Sequence, residues 1–402
     1  MRSVTCSTPT NIAVIKYWGK DNVALNTPLN SSVSVTLNQD QLKTVTSVLA
    51  SKDFPADRIW LNGAEQNIQN KRIQVVLKEV RRLATSNAVD AHGRAIAKAD
   101  WDLYKLHIVS INTFPTAAGL ASSAAGYACL VAALVELYAA EEEYEGQFSA
   151  IARQGSGSAC RSLHGGFVRW DKGVKADGTD SLAIQIADDK HWPELEAIIC
   201  VVNDKEKDTS STDGMNTSKD TSELLGFRAR EVVHKRLAAI EAAYKAKDFE
   251  TFGKITMMDS NQFHATCLDT YPPIFYLNEI SRSIIHLVHK YNHHAGAIQA
   301  AYTFDAGPNA VIFVEKKHTK DVLALLSHYF DSTTEPLEVR GPVDTTNLPH
   351  VDPTLLASIK AQPTPGALKM LYHTTVGDGR RVLTAADSLI DIATGLPKQK
   401  EN

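Results

Sequence analysis

The sequence has no apolar run long enough to cross a bilayer, and its first residues, 1–20, lack the basic and apolar segments of a secretory signal. Its five cysteines are scattered and odd in number, without the C-x-x-C spacing of a zinc site. This pattern also argues against a disulfide framework. We therefore expect a soluble, unexported, cytoplasmic protein without a membrane partner.

An excess of charge of one sign is also missing. The chain carries 42 Lys and Arg against 46 Asp and Glu, a net charge of -4, and has no basic stripe that would neutralise a nucleic-acid backbone. We therefore expect no nucleic-acid partner. The closest group of histidines falls on one predicted helical segment without nearby carboxylates, which favours a solvated helix face over a metal site. These histidines are His286, His289, His293 and His294.

A length of 402 residues exceeds what one hydrophobic core usually supports, which predicts two domains with a cleft. In the first half, alternating apolar residues predict half-buried strands, and apolar residues at helical spacing predict helices. The strands are 33–37, 59–61 and 106–108, and the helices are 73–83 and 122–140. A polar stretch with a short strand at 182–186 then marks a boundary. The predicted domains are residues 1–192 and 193–402.

The second half predicts long amphipathic helices and further short strands. The predicted strands are 197–202, 297–302, 310–315 and 337–340, and the predicted helices are 232–244, 249–263, 274–291 and 319–330. Residues 342–353 are predicted to form a loop. The fold class is therefore α+β, with helices covering one face of a mostly antiparallel sheet.

The most informative stretch is the small-residue string Pro115-Thr-Ala-Ala-Gly-Leu-Ala-Ser-Ser-Ala-Ala-Gly126. It follows a predicted strand and opens a buried helix, so its backbone N-H groups can approach an anion that the helix N-terminus favours. Ser122 and Ser123 add hydroxyls for phosphate or magnesium. Close packing with Ser122 as an N-cap is the alternative. The string contains no lysine and is neither a P-loop nor a dinucleotide fingerprint.

This loop resembles the nucleotide-phosphate motif of the GHMP kinase superfamily, and its companions resemble the mevalonate diphosphate decarboxylase family within it. The matching strings are 11–20 (NIAVIKYWGK), 114–123 (FPTAAGLASS), 155–162 (GSGSACRS) and 304–309 (FDAGPN). Residues 210–215, 257–260 and 302–304 extend the similarity, which becomes weaker after Lys316. The resemblance therefore covers most of the chain.

The resemblance implies a two-domain GHMP kinase fold, with an N-terminal domain like ribosomal protein S5 domain 2 and a ferredoxin-like C-terminal domain. It implies ATP and Mg2+ as cofactors, and a homodimer. The implied reaction converts mevalonate 5-diphosphate to isopentenyl diphosphate, ADP, phosphate and CO2 through transient 3-phosphorylation, in the mevalonate pathway of isoprenoid and sterol biosynthesis. The implied nucleotide-binding residues are Ala117, Ala118, Gly119, Leu120, Ala121, Ser122 and Ser123, with Ser123 also at the metal.

The resemblance also implies catalytic roles. Asp305 accepts the proton of the tertiary hydroxyl, Lys16 lies near the reacting oxygen, and Ser122 completes the catalytic set with Arg161. A substrate with a carboxylate and a diphosphate needs fixed cations, and the planar guanidinium of Arg161 suits the carboxylate. The local alternatives are a turn-forming role for Asp305 and a surface ion pair for Arg161. For Lys16 and Lys20 the alternative is a pair of lysines at a strand end whose side chains extend to solvent.

Further residues are implied as contacts of the substrate. They are Asn11, Tyr17, Lys20, Ser156, Gly157, Ser158, Arg161 and Met215. Lys20 and Tyr17 are expected at the diphosphate, and the glycine-serine turn suits a second anion. Asn11 orients the surrounding side chains or simply forms a turn. Candidates for adenine contact, or for purely structural roles, are Trp60, Asn62 and Arg72.

Other functions stay open at this point. A kinase that stops at the 3-phosphate, or a decarboxylase acting on the monophosphate, would use similar residues. A catalytically silent sensor of phosphorylated ligands is a third alternative. The joint presence of Lys16, Ser122, Arg161 and Asp305 weighs against that sensor.

Overall fold

The computed structural model describes residues 1–114, 122–202, 208–332 and 336–399. Its strands are β1 (Arg2–Pro9), β2 (Asn11–Ile15), β3 (Lys20–Asn22), β4 (Thr27–Pro28), β5 (Ser32–Thr36), β6 (Lys43–Ser51), β7 (Arg58–Leu61), β8 (Ala64–Gln66), β9 (Lys105–Asn112), β10 (Phe167–Trp170), β11 (Ala183–Ala187), β12 (Leu195–Val201), β13 (Ala300–Phe304), β14 (Ala310–Glu315), β15 (Val339–Arg340), β16 (Met370–Thr375) and β17 (Arg381–Val382).

The α-helices are α1 (Lys71–Arg82), α2 (Ser122–Tyr138), α3 (Gln147–Gly155), α4 (Ser211–Thr221), α5 (Glu223–Phe227), α6 (Val233–Ala246), α7 (Phe249–Asp269), α8 (Glu279–Ala295), α9 (Thr319–Phe330) and α10 (Pro353–Ser358). A π-helical turn, Arg228–Val232, joins α5 to α6. The 3₁₀ turns are Lys98–Leu103, Gly157–Leu163, Lys316–His318 and Ala385–Asp387. Among the described residues, no helix has the length and hydropathy needed to cross a bilayer.

The first sheet has the strand order β17-β1-β6-β9-β7-β8 and is antiparallel except between β7 and β9. Helices α1 and α2 pack on it, and their apolar side chains share one core with Val48 and Ile108 of the sheet. Helix α2 is buried on most of its surface, because it is rich in Ala, Leu and Val. Asn62 and Gly63 both have positive φ, which forms a tight turn between β7 and β8.

The second sheet, β11-β10-β5-β2, packs against the third, which has the order β13-β14-β12-β16-β15. One cluster of buried apolar residues joins them, and it includes Val14 and Val35 of the second sheet with Ile198 and Phe313 of the third. Helices α6 to α9 contribute to the same cluster. Because this core is continuous, the end of β2 is held in a fixed position against the helices that follow residue 232.

The last described residues return to the first sheet. Strand β17 pairs with β1, and Ile390 packs against Leu49 and Val109. The imidazole Nδ1 of His107 lies 2.7 Å from the carbonyl oxygen of Gly395. Residues beyond β16 therefore pack on the N-terminal sheet, although they fall within the predicted second domain, 193–402.

Several predicted elements match the structure, including β14 at 310–315 and α9 at 319–330. The predicted start of the helix at 274–291 was wrong, because α8 begins at Glu279. Asn278 is its N-cap: its side-chain oxygen accepts the N-H of Ser281 at 3.0 Å, while the Ser281 hydroxyl contacts the Asn278 N-H in return. This capping box fixes the first turn of α8.

The prediction of a half-buried strand at 33–37 was also wrong, since every residue of β5 is buried. Strand β5 lies between β2 and β10 in the second sheet. Val33 and Val35 face the apolar cluster, while Ser32 and Thr36 bond to the 3₁₀ turn Gly157–Leu163 and the residue after it. Both faces of β5 are therefore covered. Its polar residues contact a buried turn and not solvent.

Candidate active site

A cleft of about 550 Å³ lies where β2, the N-terminus of α2, the 157–163 turn, α4 and the residues after β13 meet. It brings together every predicted catalytic, substrate-contact and nucleotide-phosphate residue that the structure describes. These residues are Asn11, Lys16, Tyr17, Lys20, Ser122, Ser123, Ser156, Gly157, Ser158, Arg161, Met215 and Asp305. The remaining predicted residues, Ala117 to Ala121, fall outside the described ranges.

The charge of the cleft is strongly positive. Within the described part of the chain, its lining contains four basic side chains and one carboxylate, Asp305. The basic residues are Lys16, Lys20, Arg72 and Arg161. Serine and threonine hydroxyls from 122–123, 156–158 and 210–212 supply further hydrogen-bonding groups. Such a lining suits a ligand with several negative charges.

Lys16 and Asp305 meet in the cleft. Lys16 directly follows β2 and is only 3% exposed, whereas Asp305 directly follows β13 and is 30% exposed. The ammonium Nζ of Lys16 donates to Oδ1 of Asp305 over 2.5 Å. Burial lowers the pKa of Lys16, although Asp305 partly opposes this shift. The alternative of a solvent-extended lysine was wrong, and the Asp305 carboxylate pairs with Lys16 across the cleft.

Arg161 lies in the 157–163 turn and is 2% exposed. Its Nε donates to Oδ1 of Asn11 over 3.1 Å, and Nη1 contacts the hydroxyl of Ser32. Its guanidinium carbon lies 5.7 Å from the ring centre of Trp170. Burial lowers the pKa of Arg161, and the described residues give it no carboxylate ion-pair partner. The surface ion-pair alternative was therefore wrong, and an anionic ligand would neutralise this buried charge.

Asn11 belongs to β2 and is buried, so its alternative role as a turn former was wrong. Its amide Nδ2 donates to the hydroxyl of Ser162 at 2.7 Å and to the carbonyl of Ser158 at 3.2 Å. Since its oxygen accepts from Arg161, Asn11 joins β2 to the 157–163 turn and orients the guanidinium.

Tyr17 stands beside the same turn. Its ring meets Trp170 edge-on with 4.7 Å between ring centres. A Cβ atom at position 157 would lie 2.7 Å from the Tyr17 hydroxyl oxygen, so Gly157 permits this close approach. Burial raises the pKa of Tyr17 to about 12, which keeps the hydroxyl protonated as a donor. Lys20 opens β3 nearby, and burial together with the charge of Arg72 lowers its pKa.

The serines of two motifs adjoin across the cleft. Ser122 and Ser123 begin α2, and the N-terminus of a helix favours an anion. The hydroxyl oxygens of Ser123 and Ser156 are 3.3 Å apart, which links the nucleotide-loop motif to the glycine-serine turn. Met215 of α4 is buried on another part of the lining, where it clusters with Trp18.

The adenine candidates are separated by the fold. Arg72 lies in the cleft and its guanidinium approaches the hydroxyl of Thr212 at 3.3 Å. Trp60 packs in the cluster around Ile390, away from the described cleft lining. Asn62 accepts the backbone N-H of Asn112 at 2.9 Å and so supports the first sheet.

A buried ion pair behind Lys16 was not predicted from the sequence. Asp259 of α7 and Arg228 of the π-helical turn are both fully buried, with 2.7 Å between their charged atoms. Burial raises the pKa of the Asp259 carboxyl, but Arg228 and a hydrogen bond from the Lys16 backbone leave it below its ordinary value. An aspartate in an apolar helical stretch was the available signal, because a buried carboxylate requires partners.

Two family models match this chain. One, the diphosphomevalonate decarboxylase-like N-terminal domain, matches residues 8–183, and the other, the mevalonate 5-diphosphate decarboxylase C-terminal domain, matches residues 197–383. A Rattus norvegicus protein named diphosphomevalonate decarboxylase is 50% identical over 401 residues, which cover 98% of this chain and 97% of the relative. The chain belongs to the mevalonate 5-diphosphate decarboxylase family. The family's curated relatives are carboxy-lyases, which confirms the predicted resemblance and enzyme class.

Solved structures agree with this assignment. A crystal structure of mevalonate 5-diphosphate decarboxylase matches with a TM-score of 0.83 and 42% identity, covering 98% of this chain and 100% of that one. A structure described as MDDEF in complex with MVAPP, AMPPCP and magnesium matches with a TM-score of 0.72 and 31% identity, covering 95% and 98%. The predicted two-domain α+β fold is confirmed.

Proposed function

We propose that this chain catalyses the ATP-dependent decarboxylation of mevalonate 5-diphosphate to isopentenyl diphosphate, with release of ADP, phosphate and CO2. The observation that carries the proposal is that the Lys16–Asp305 pair and the buried Arg161 line the same cleft. A base, a cation at the reacting oxygen and a carboxylate-binding guanidinium are the groups that the two steps require.

In the first step the tertiary hydroxyl oxygen attacks the γ-phosphorus of ATP. A new P-O bond forms, the bond to ADP breaks, and the hydroxyl proton passes to Asp305. A carboxylate is a weak base toward an alcohol, so the rate depends mainly on positioning and on stabilisation of charge. Lys16, held at 2.5 Å from Asp305, supplies a positive charge at this point.

In the second step the bond between the tertiary carbon and its phosphate breaks, and positive charge develops at that carbon. The electrons of the bond to the carboxylate then form the alkene, and CO2 leaves. Arg161 fits the role of the carboxylate clamp, because its planar guanidinium can bind both oxygens and Asn11 fixes its orientation. The buried position of Arg161 keeps its charge away from bulk water.

The serines at the start of α2 support the proposal that ATP binds here with Mg2+. Ser122 and Ser123 lie in the cleft at a helix N-terminus, and Ser123 would contribute its hydroxyl to the metal. The described residues contain no group of three or more metal-ligating side chains, so the nucleotide's own phosphates would provide most of the ligands. Bound magnesium would neutralise charge on those phosphates.

Lys20, Arg72 and the hydroxyl of Tyr17 support a diphosphate rather than a monophosphate as the anchoring group. The test is to supply ATP and Mg2+ with either mevalonate 5-diphosphate or mevalonate 5-phosphate and to identify the products by phosphorus NMR. We expect isopentenyl diphosphate from the diphosphate alone. A stable 3-phosphate would identify a kinase, turnover of the monophosphate would change the substrate, and binding without product would favour the sensor.

Three further predictions accompany this function. We propose a domain boundary near residue 192, with the segment after β16 joining the first sheet, and limited proteolysis tests it. The homodimer implied by the resemblance is tested by light scattering.

A cytoplasmic location is tested by cell fractionation.

A further inference from the structure

We propose that Asp259 and Arg228 are positioning residues for Lys16, fixing its backbone so that its ammonium meets Asp305 in the reactive arrangement. This inference rests on the proposed function and assigns a task to a buried ion pair outside the described cleft lining.

The backbone of Lys16 needs partners because the β2 ladder ends just before it. Ile15 is the last residue of β2 and pairs with Val33 after a register shift. The N-H and C=O groups of Lys16 are buried beyond that point, where unpaired polar groups are costly. Their partners must therefore come from outside the sheet.

Asp259 and Arg228 supply these partners. Oδ2 of Asp259 accepts the N-H of Lys16 at 2.7 Å, and Nη2 of Arg228 donates to the Lys16 carbonyl at 2.8 Å. Asn30 donates to the same carbonyl at 3.0 Å. The N-H and the C=O of Lys16 are thus both hydrogen-bonded to side chains from other parts of the fold, which fixes the backbone on either side of the Lys16 side chain.

The ion pair itself is held by several hydrogen bonds. The guanidinium of Arg228 donates to both carboxylate oxygens of Asp259, at 2.8 and 2.7 Å. Arg236 donates to Oδ1 of the same carboxylate from the other side, at 2.9 Å. A buried ion pair adds little net stability compared with apolar packing, so stability alone explains its presence poorly. Its two-point geometry, however, restricts where the Lys16 backbone can lie.

The neighbour of Asp259 holds the other half of the reactive pair. The hydroxyl of Ser260 accepts the backbone N-H of Phe304 at 3.0 Å, and Phe304 directly precedes Asp305. Consecutive residues of α7 therefore fix the ends of β2 and β13, from which Lys16 and Asp305 extend. Because one helix sets both positions, loosening it alters the alignment of the reactive pair.

The main test replaces Asp259→Asn and measures kcat and KM for both substrates. We expect kcat to fall by about 10- to 100-fold, since small misplacements of reacting groups cost this much, while each KM changes less than about twofold. Arg236→Gln is the matched control: it removes a bond to the same carboxylate but leaves those to Lys16. It should lower the melting temperature while kcat stays within about twofold of wild type.

A second variant leaves the ion pair intact. Asn30→Ala removes only its bonds to the carbonyls of Lys16 and Ser31, and we expect kcat to fall by roughly 3- to 10-fold with KM unchanged. Unchanged kcat in the folded variants, or losses confined to KM, would overturn the inference. Wild-type protein is assayed for ADP and CO2 in parallel. Absence of these products would count against the proposed function, whereas a normal wild type with unaffected variants counts against the positioning role alone.

Discussion

The ammonium group of Lys16 lies 2.5 Å from a carboxylate oxygen of Asp305, although the two residues are 289 positions apart in the chain. Lys16 follows β2 and Asp305 follows β13, so the pair joins the second and third sheets across the cleft. The shared apolar core of these sheets holds both strand ends. The relative position of Lys16 and Asp305 therefore depends on the packing between the two sheets.

Asp305→Asn should abolish most turnover while preserving binding. The amide has nearly the size and shape of the carboxylate, but it accepts no proton and leaves Lys16 without its counter-charge. We expect kcat to fall by about 10³-fold with little change in the KM for mevalonate 5-diphosphate. Steady-state kinetics and equilibrium substrate binding measure the two effects. Asp344→Asn, at an exposed ion pair with Lys320, is the control, and near-normal turnover by Asp305→Asn would contradict its role as base.

Arg161→Gln should slow the reaction, because it removes a contact to the substrate carboxylate, and should leave ATP binding nearly unchanged. The loss of a charge-assisted contact predicts a decrease of about 10- to 100-fold in kcat/KM for mevalonate 5-diphosphate. The Kd for ATP, from nucleotide titration, should change less than about twofold.

Arg153→Gln provides a matched control for Arg161→Gln. Arg153 is also buried, but its guanidinium donates to the carbonyls of Leu25 and Gly178 at 3.1 and 2.8 Å. The Arg153→Gln variant should unfold at a lower temperature than wild type. It should not show the selective loss of kcat/KM for mevalonate 5-diphosphate over ATP affinity that we expect of Arg161→Gln. Equal loss of ATP affinity in Arg161→Gln would argue against a carboxylate clamp.

The rate should decline on the alkaline side at a lower pH than an ordinary lysine would give. Burial lowers the pKa of Lys16, so its charge is present below that value and is lost as the pH rises through it. The measurement is kcat from about pH 6 to about pH 10. Lys16→Arg, which cannot lose its charge in this range, should turn over more slowly without the same decline. The same loss of kcat at alkaline pH in wild type and Lys16→Arg would show that a group other than Lys16 titrates.

His264 should make the fold sensitive to acid. Burial, with the charge of Lys16, lowers the pKa of His264 to about 3 from an ordinary 6.5. Between these values the unfolded chain binds a proton that the folded chain does not, so stability falls as the pH falls. The expected loss is about 2 kcal/mol between about pH 7 and about pH 5. Denaturant titrations measure it. The His264→Gln variant should show a weaker dependence of stability on pH, whereas a variant of the exposed His92, His92→Gln, should behave like wild type. The same pH dependence in both variants would show that His264 is not the group responsible.

The residues that line the cleft could be predicted because they lie in short motifs whose chemistry is visible locally. Arg161 follows a glycine-serine turn and Asp305 follows an apolar strand, and both reach the cleft. Their partners could not be predicted from spacing. The contacts of Arg161 with Asn11 and Ser32 join segments more than 100 residues apart, and only tertiary packing sets such distances.

The same limit explains why the proposed role of Asp259 could not be assigned from the sequence. Its carboxylate is buried by α7, the π-helical turn and β2 together, and no local pattern specifies that arrangement. In the fold, apolar periodicity located α9 but not the start of α8. There the Asn278 cap decided the boundary, although apolar residues continue before it.

The most direct measurement of the central claim is the ratio of CO2 to ADP formed from carboxyl-labelled mevalonate 5-diphosphate with ATP and Mg2+. Both products are counted in the same reaction over time. The proposed mechanism predicts equal amounts throughout, because each phosphorylated intermediate goes on to lose its carboxylate beside Arg161. ADP without CO2 would contradict coupled decarboxylation and identify a kinase, and the absence of both products would contradict the proposed substrate.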